Sequence, residues 1–494
     1  MADSPAGETL QDHLRRATRH FSARLPEDQV FALGVELARE LARAHAEGRH
    51  PELEPGAIPM TGGRPRLDGG GPQGDASEDV VALGALLNAL ASGQAAEVSW
   101  RLDGPPPCEA STLLRRATLA ALAAPRRERR YPDAQAALGA LEAALAPPAE
   151  GPGPWPAFRG SAARAGSAAG PAPSVLTPAW SWTGAAVVAS PVVAPDLVLA
   201  ATTDGRLLFF ESASGRLLHE LALASGVEST PALEGPLAFL GTDDGELVAV
   251  DWRRGVLVWR AALGQLVRSS PLVHEGRVVV GVVETKQAGA LLAVEAARGK
   301  LLWKTRLDPV FSSPAAAAEG LVVGSDGGLH GLDAAKGRLL WSADLGGKVR
   351  ATPAVTGGVA VAGGFAGRVA AVRSADGAAL WSRELGHPVY SSAAVGEGLL
   401  AFGCNEGHVH ALDAATGAGR FEVATRGPVV GSPVLVGGSL LAASTDGELY
   451  LVDGQGRVAA RARLAAGGSQ SSPALAPGLV VVGSADGVHA FRLA

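Results

Sequence analysis

Cysteine is nearly absent from this 494-residue chain, which has only Cys108 and Cys404, far apart. A disulfide framework and a paired zinc knuckle are therefore excluded. Long apolar runs are missing too, none approaching the roughly eighteen residues that a membrane span requires. The opening residues Met1 to Glu8 are polar and acidic. They show neither the basic start nor the apolar stretch of a secretory signal, and no lipoprotein-type cysteine. Neither sign of charge dominates: 43 basic residues against 49 acidic ones leave a net charge of −6, which gives no general case for nucleic acid as a partner. These absences lead to the expectation of a cytoplasmic protein without membrane insertion.

What the chain does have is a period. A Ser/Thr-Pro step or its equivalent ends at Pro191, Pro231, Pro271, Pro314, Pro353, Ala393, Pro433 and Pro473, with spacings of 40, 40, 43, 39, 40, 40 and 40. Inside each copy one Gly closes a turn (Gly205, Gly245, Gly289, Gly327, Gly367, Gly407, Gly447). A second Gly follows nine or ten residues later, and four residues after that comes a large side chain in most copies: His219, Trp259, Trp303, Trp341, Trp381, Phe421. A period of this length, built from short β-branched runs and Asp-Gly pairs, is a repeat of hairpins. Four strands per copy and eight copies predict an eight-bladed β-propeller, with the recurring Trp in the wedge between blades. The eighth copy stops at Ala494 without an outer strand, and Pro178-Ala179-Trp180-Ser181-Trp182 stands ready at the front to supply it. Closure by this N-terminal strand would leave no open end.

The string Leu332 to Trp341 (Leu-Asp-Ala-x-x-Gly-x-x-x-Trp) and the opening motif Trp155-Pro156-Ala157-Phe158-Arg159-Gly160 resemble the pyrroloquinoline-quinone-like propeller repeats, over roughly 155 to 494. Two kinds of protein are implied: quinoprotein dehydrogenases, which bind the cofactor and a calcium ion, and outer-membrane assembly lipoproteins, which use the ring as a docking platform without cofactor. The dehydrogenases resembled also carry adjacent cysteines beneath the cofactor, and this chain has none. No cofactor is therefore expected.

Residues 8–146 differ in character, rich in Ala, Leu and Arg at helical spacing. Pro26-Glu27-Asp28 opens a helix that stacks Leu33, Leu37 and Leu41 on one face. Ser77 is a candidate cap for a second, over 77–91, with Val80, Leu83, Leu87 and Leu90 inward; two more are expected over 111–124 and 132–145. This order resembles an eroded C-terminal lobe of the Ser/Thr protein kinases. His50 matches the histidine of His-Arg-Asp, Glu52 stands where the catalytic aspartate belongs, Glu54 replaces the phosphate-contacting lysine and Ala57 the metal-binding asparagine. Asp68 falls on the Asp-Phe-Gly segment, Asp79 on the Asp-rooted central helix, and Arg129-Arg130-Tyr131-Pro132 on the late Arg-Tyr turn. The N-terminal lobe and activation segment are missing, and phosphoryl transfer relies on both, so no kinase activity is expected. The organisation expected is multidomain: an all-α, kinase-like module at 8–146, a Pro/Gly/Ala linker at 147–177 pinned to the propeller surface by Trp155 and Phe158, and the all-β eight-bladed propeller at 178–494.

Two local clusters invite sharper readings. Cys404, His408 and His410 are metal-ligating types, but they occupy ordinary repeat positions and read as a polar hairpin. Arg126-Arg127-Glu128-Arg129-Arg130 reads as a solvated turn. The position three before each Ser/Thr-Pro step is different: the frame around it repeats while it varies, as Val188, Glu228, Arg268, Phe311, Arg350, Tyr390, Val430 and Gln470. In a propeller these residues ring the mouth of the central funnel. Glu228, Arg268, Phe311, Arg350, Tyr390 and Gln470 are accordingly the candidate partner-binding residues. The function expected is a non-enzymatic scaffold or adaptor for an unidentified protein partner. The alternatives are an exported envelope-assembly or ligand-binding propeller and a quinone-dependent dehydrogenase.

Overall fold

The computed structural model describes residues 9–12, 27–51, 53, 58–61, 64–67, 75–92, 113–122, 131, 133–145, 154–464 and 467–494. The chain divides into two compact units, Met1–Pro148 and Ala149–Ala494.

Among the described residues the first unit shows four helices of ten residues or more: α1 (Glu27–Ala46), α2 (Ala76–Ser92), α3 (Leu113–Leu122) and α4 (Ala134–Leu145). Their apolar stripes meet in one core, in which Leu37, Leu41, Val80, Leu83, Leu87 and Leu90 are buried and Leu33 is partly so. The α2 cap is Asp75 rather than Ser77: its Oδ1 accepts the Ser77 amide at 2.8 Å, because a carboxylate two residues upstream reaches a free first-turn N–H. A two-strand ribbon, Met60–Thr61 with Arg64–Pro65, interrupts the all-α plan. Glu52, Glu54, Ala57, Asp68 and the basic run 126–130 lie outside the described residues.

The second unit is a ring of eight antiparallel sheets. Blade 3 is typical, with inner strand Leu272–His274, second strand Arg277–Val283, third strand Gly289–Glu295 and outer strand Leu301–Leu307. The middle strands of each blade are covered on both faces, so they read as unbroken apolar runs, and only the outer strands alternate. In blade 8 the outer strand is Leu176–Thr183, paired with Gly487–Leu493 at the end of the chain.

Two repeated devices hold the blades together. Trp259, Trp303, Trp341 and Trp381 each donate the indole N–H to a carbonyl of the next blade's turn (Ala296, Ala334, Ser374 and Ala414, at 3.0, 3.1, 2.9 and 3.3 Å). Each ring lies against that turn's glycine, whose φ is near +70°. At the axis, every Ser/Thr of the Ser/Thr-Pro step accepts the amide of its counterpart one blade back. The chain of bonds runs Ser190 to Thr230, Ser270, Ser313, Thr352, Ser392, Ser432 and Ser472, and Ser472 returns to Ser190. Eight bonds close on themselves, so the ring is complete.

The stretch read as a linker over the propeller surface does something else from Pro154 onward. Trp155 is buried and bridges to Val193. The carbonyls of Pro156, Ala162, Ala163, Ala165 and Gly166 accept amides from Leu233, Ala316, Val355, Val395 and Leu435, which belong to the inner strands of blades 2, 4, 5, 6 and 7. Ser167–Ala168 then pairs in parallel with blade 7. A chain that touches the innermost strand of blade after blade runs inside the axial channel. The reason is hydrogen-bond accounting: inner strands have one free edge, and their N–H groups need acceptors.

Candidate functional site: the mouth of the ring

Inner strands run away from the Ser/Thr-Pro steps, so with four antiparallel strands the loop entering each blade and the loop between its second and third strands share one face. The structure shows this contact directly. Arg268, from the loop entering blade 3, forms a two-pronged ion pair with Asp243 of the preceding blade's loop at 2.9 and 3.1 Å and a third contact to Glu228 at 3.0 Å. Burial pulls the Arg268 guanidinium down, but the Asp243 bonds and both carboxylates outweigh it and hold the guanidinium above its ordinary value. Half-burial raises the Glu228 carboxyl, with Arg268 opposing.

A second arc is aromatic. Arg350 grips Asp326 through Nε and a terminal nitrogen at 2.9 and 3.0 Å, and its guanidinium sits 4.2 Å from the Phe311 ring centre and 5.2 Å from that of Phe365. Phe365 packs on Tyr390 with centroids 4.3 Å apart. Lys348 adds a third bond to Asp326 at 2.8 Å. Burial pushes the Asp326 carboxyl up, and the two cations bring it net below its usual range.

Of the six candidate residues, Glu228 and Arg268 therefore meet in one arc, and Phe311, Arg350 and Tyr390 meet in another. Gln470 is exposed and joins neither. Both arginines are held by the protein's own carboxylates, so the available surface is chiefly the aromatic arc, where Tyr390 is 38 % exposed. Asp243, Asp326, Lys348 and Phe365 were missed. For Asp243, Asp326 and Phe365 the signal was the position two before the turn glycine (Gly245, Gly328, Gly367), which varies as the mouth position does; Lys348 lies two before Arg350 in the loop entering blade 5.

Below the mouth, Arg159 and Arg164 are fully buried. Arg159 donates to Pro433 O and Ala393 O at 2.5 and 2.8 Å. Arg164 donates to Pro314 O, Phe158 O and Pro271 O at 3.1, 2.7 and 2.6 Å. Burial pushes both guanidiniums down to about 9, and the carbonyl dipoles across the channel are what favour the charged form. A quinone cofactor does not fit this arrangement. The channel carries a backbone segment and two guanidiniums, and the buried Cys404 has no adjacent cysteine in the sequence.

Two histidine clusters complete the inventory. His408 and His410 both lean on Glu422, at 3.5 and 3.1 Å, and Cys404 does not join them. In the helical unit, His45 Nε2 and His50 Nδ1 both bond Asp79 Oδ2, at 2.8 and 2.7 Å. Among the described residues this is the one group whose atoms lie close enough to hold a metal ion. Three ligands fall one short of a closed zinc site, and the shared carboxylate oxygen already accounts for the geometry.

The repeat, the eight blades and the filled channel set the terms for comparison with known proteins. The chain matches the family described as outer membrane protein assembly factor BamB in four overlapping stretches, 177–265, 220–288, 267–394 and 366–494. It belongs to this family. The BamB structure from Moraxella catarrhalis superposes with a TM-score of 0.57 at 20% identity, covering 64% of this chain and 100% of that one. A europium-containing methanol dehydrogenase gives 0.61 at 14% identity, covering 70% of this chain and 99% of that one. The quinohemoprotein alcohol dehydrogenase from Comamonas testosteroni gives 0.61 at 14%, covering 68% and 80%. At these identities the structures establish a shared fold and no more. No curated protein matches the chain. The family match begins at 177, so the kinase-like reading of the helical unit gains nothing from it, and the family's description gives no support to a cytoplasmic location.

Proposed function

We propose that this BamB-family propeller is a non-enzymatic docking platform that binds a protein partner at the mouth of the ring, in the setting of envelope assembly. The observation that carries this reading is the aromatic arc of Phe311, Phe365 and Tyr390 around a guanidinium fixed by Asp326. Aromatic side chains and Arg are the usual energetic anchors of interfaces, and here their conformations are set before binding, which lowers the entropy lost on association. The filled channel supports the absence of quinone chemistry. The helical unit offers a second docking surface in this reading, and its kinase-like parts perform no phosphoryl transfer.

The test compares proteins captured from host extract by the full chain and by its Phe365→Ser/Tyr390→Ser variant. The expected result is at least one protein retained by the parent and lost by the variant. Identical captures would remove the mouth from the account. Dye-linked alcohol oxidation after addition of quinone and calcium would contradict the non-enzymatic part.

A further inference from the structure

The outer strands carry a feature that the mouth does not use. In every blade the pairing of third and outer strands slips by one residue, leaving one bulged residue just before the wedge position. A bulge breaks the in–out alternation of a strand, so two successive side chains can both face solvent. The eight equivalent bulge residues are Leu218, Val258, Leu302, Leu340, Leu380, Arg420, Ala459 and Ala179. The ring thus provides its own controls. Four consecutive blades, 2 to 5, present a large exposed apolar side chain there, 42 to 48 % exposed, and blades 2 to 4 add Leu257, Leu301 and Leu339 beside it.

These residues start the outer strands, so they lie at the corner opposite the mouth, next to the turns between third and outer strands. In blades 3 and 4 those turns bring Lys300, Lys336 and Arg338, all exposed and free of ion pairs among the described residues. A chain of net charge −6 therefore has one corner that is both apolar and cationic.

We infer that this corner, formed by blades 2 to 5, docks peripherally on a lipid surface bearing anionic headgroups. Large apolar side chains exposed on one side of the ring mark an interaction site, and the cations flanking them select an anionic partner. The shape selects a lipid surface. The apolar residues are carried by the outer strands of four separate blades, and a fluid interface accommodates side chains spaced in this way without needing a matching rigid surface. No helix among the described residues is long and apolar enough to cross a membrane, so the contact is one of lying on the surface.

The test is co-sedimentation of the full chain with vesicles of phosphatidylcholine alone or mixed with phosphatidylglycerol. Binding to the mixed vesicles is expected, weakening as salt is raised. Leu301→Ser/Leu302→Ser/Leu339→Ser/Leu340→Ser should lower that binding about tenfold or more, since each buried leucine contributes on the scale of one decade, with an unchanged thermal midpoint because all four side chains are exposed. Lys300→Glu/Lys336→Glu/Arg338→Glu should remove the preference for anionic lipid. Failure of the parent to bind mixed vesicles, or equal binding by the variants, would overturn the inference. A dimer in solution that the leucine variant dissolves would also overturn it and assign the corner to a second copy of this chain. The mouth substitutions should leave vesicle binding untouched, so the two surfaces are tested separately.

Discussion

Arg164 spreads one guanidinium over four backbone carbonyls and, among the described residues, has no carboxylate partner: Pro314, Phe158, Ser270 and Pro271 supply the acceptors. Arg164→Met removes the buried charge and leaves those oxygens without donors. Hydrogen bonds to charged groups contribute about 1.5–3 kcal/mol each and orphaned acceptors add their own cost, so the expected loss is about 3 kcal/mol or more, read as a drop in denaturant midpoint. His330 behaves oppositely with respect to charge. It bonds Ser325 Oγ and Ser342 Oγ, each at 2.8 Å, and burial holds its pKa below the ordinary value despite Asp308. The unfolded chain then binds the proton first. Stability is full above about pH 6.5 and falls as pH drops from there toward the folded-state pKa, because protonation favours the unfolded state over that window. His330→Gln should flatten the fall in thermal midpoint below pH 6.5; an unchanged slope would show that the imidazole is not its source. None of this was legible beforehand. Arg159 and Arg164 sit outside the period, and a residue without a repeat to align it has no predicted neighbours.

At the scale of the element, the sequence carried much more. The Ser/Thr-Pro steps, the turn glycines and the Trp positions each recur, and each proves to make the same contact in successive blades, which is why their spacing specified the ring. The glycines differ in what they do, though. Gly337 has φ +69° and a Cβ there would overlap the Trp303 ring, whereas Gly358 has φ +76° with nothing within 4 Å. Gly358→Ala should cost about 1 kcal/mol, the strain of a left-handed backbone alone. Gly337→Ala should cost clearly more, by about a further 1–3 kcal/mol for the displaced ring. Equal chemical-denaturation midpoints for the two variants would mean that the wedge contact contributes nothing. Where the period was silent, the local reading erred. Ser77 looked like the cap of α2, yet Asp75 has the reach, and a cap depends on the backbone path of two residues that composition does not fix.

At the scale of the whole molecule, the segment from Pro154 is the main departure from expectation. Its Pro, Gly and Ala content reads as linker, and small residues are also what a chain needs to pass along the axis of eight close strands. Ala162, Ala163 and Ala165 give their carbonyls to inner strands without filling the channel with side chains. Of the residues that the period assigns to the mouth, Arg268 and Arg350 meet charge partners from the preceding blade's loop and are held rather than free. What the mouth offers outward is the aromatic arc.

That arc can be tested directly by placing a photo-crosslinking amino acid at position 390 of the full chain, with position 459 on an outer strand as control, and irradiating in the host. A discrete crosslinked species from 390 that is missing from 459 is the outcome expected of a docking mouth. The same species from both positions, or none from 390, would contradict it.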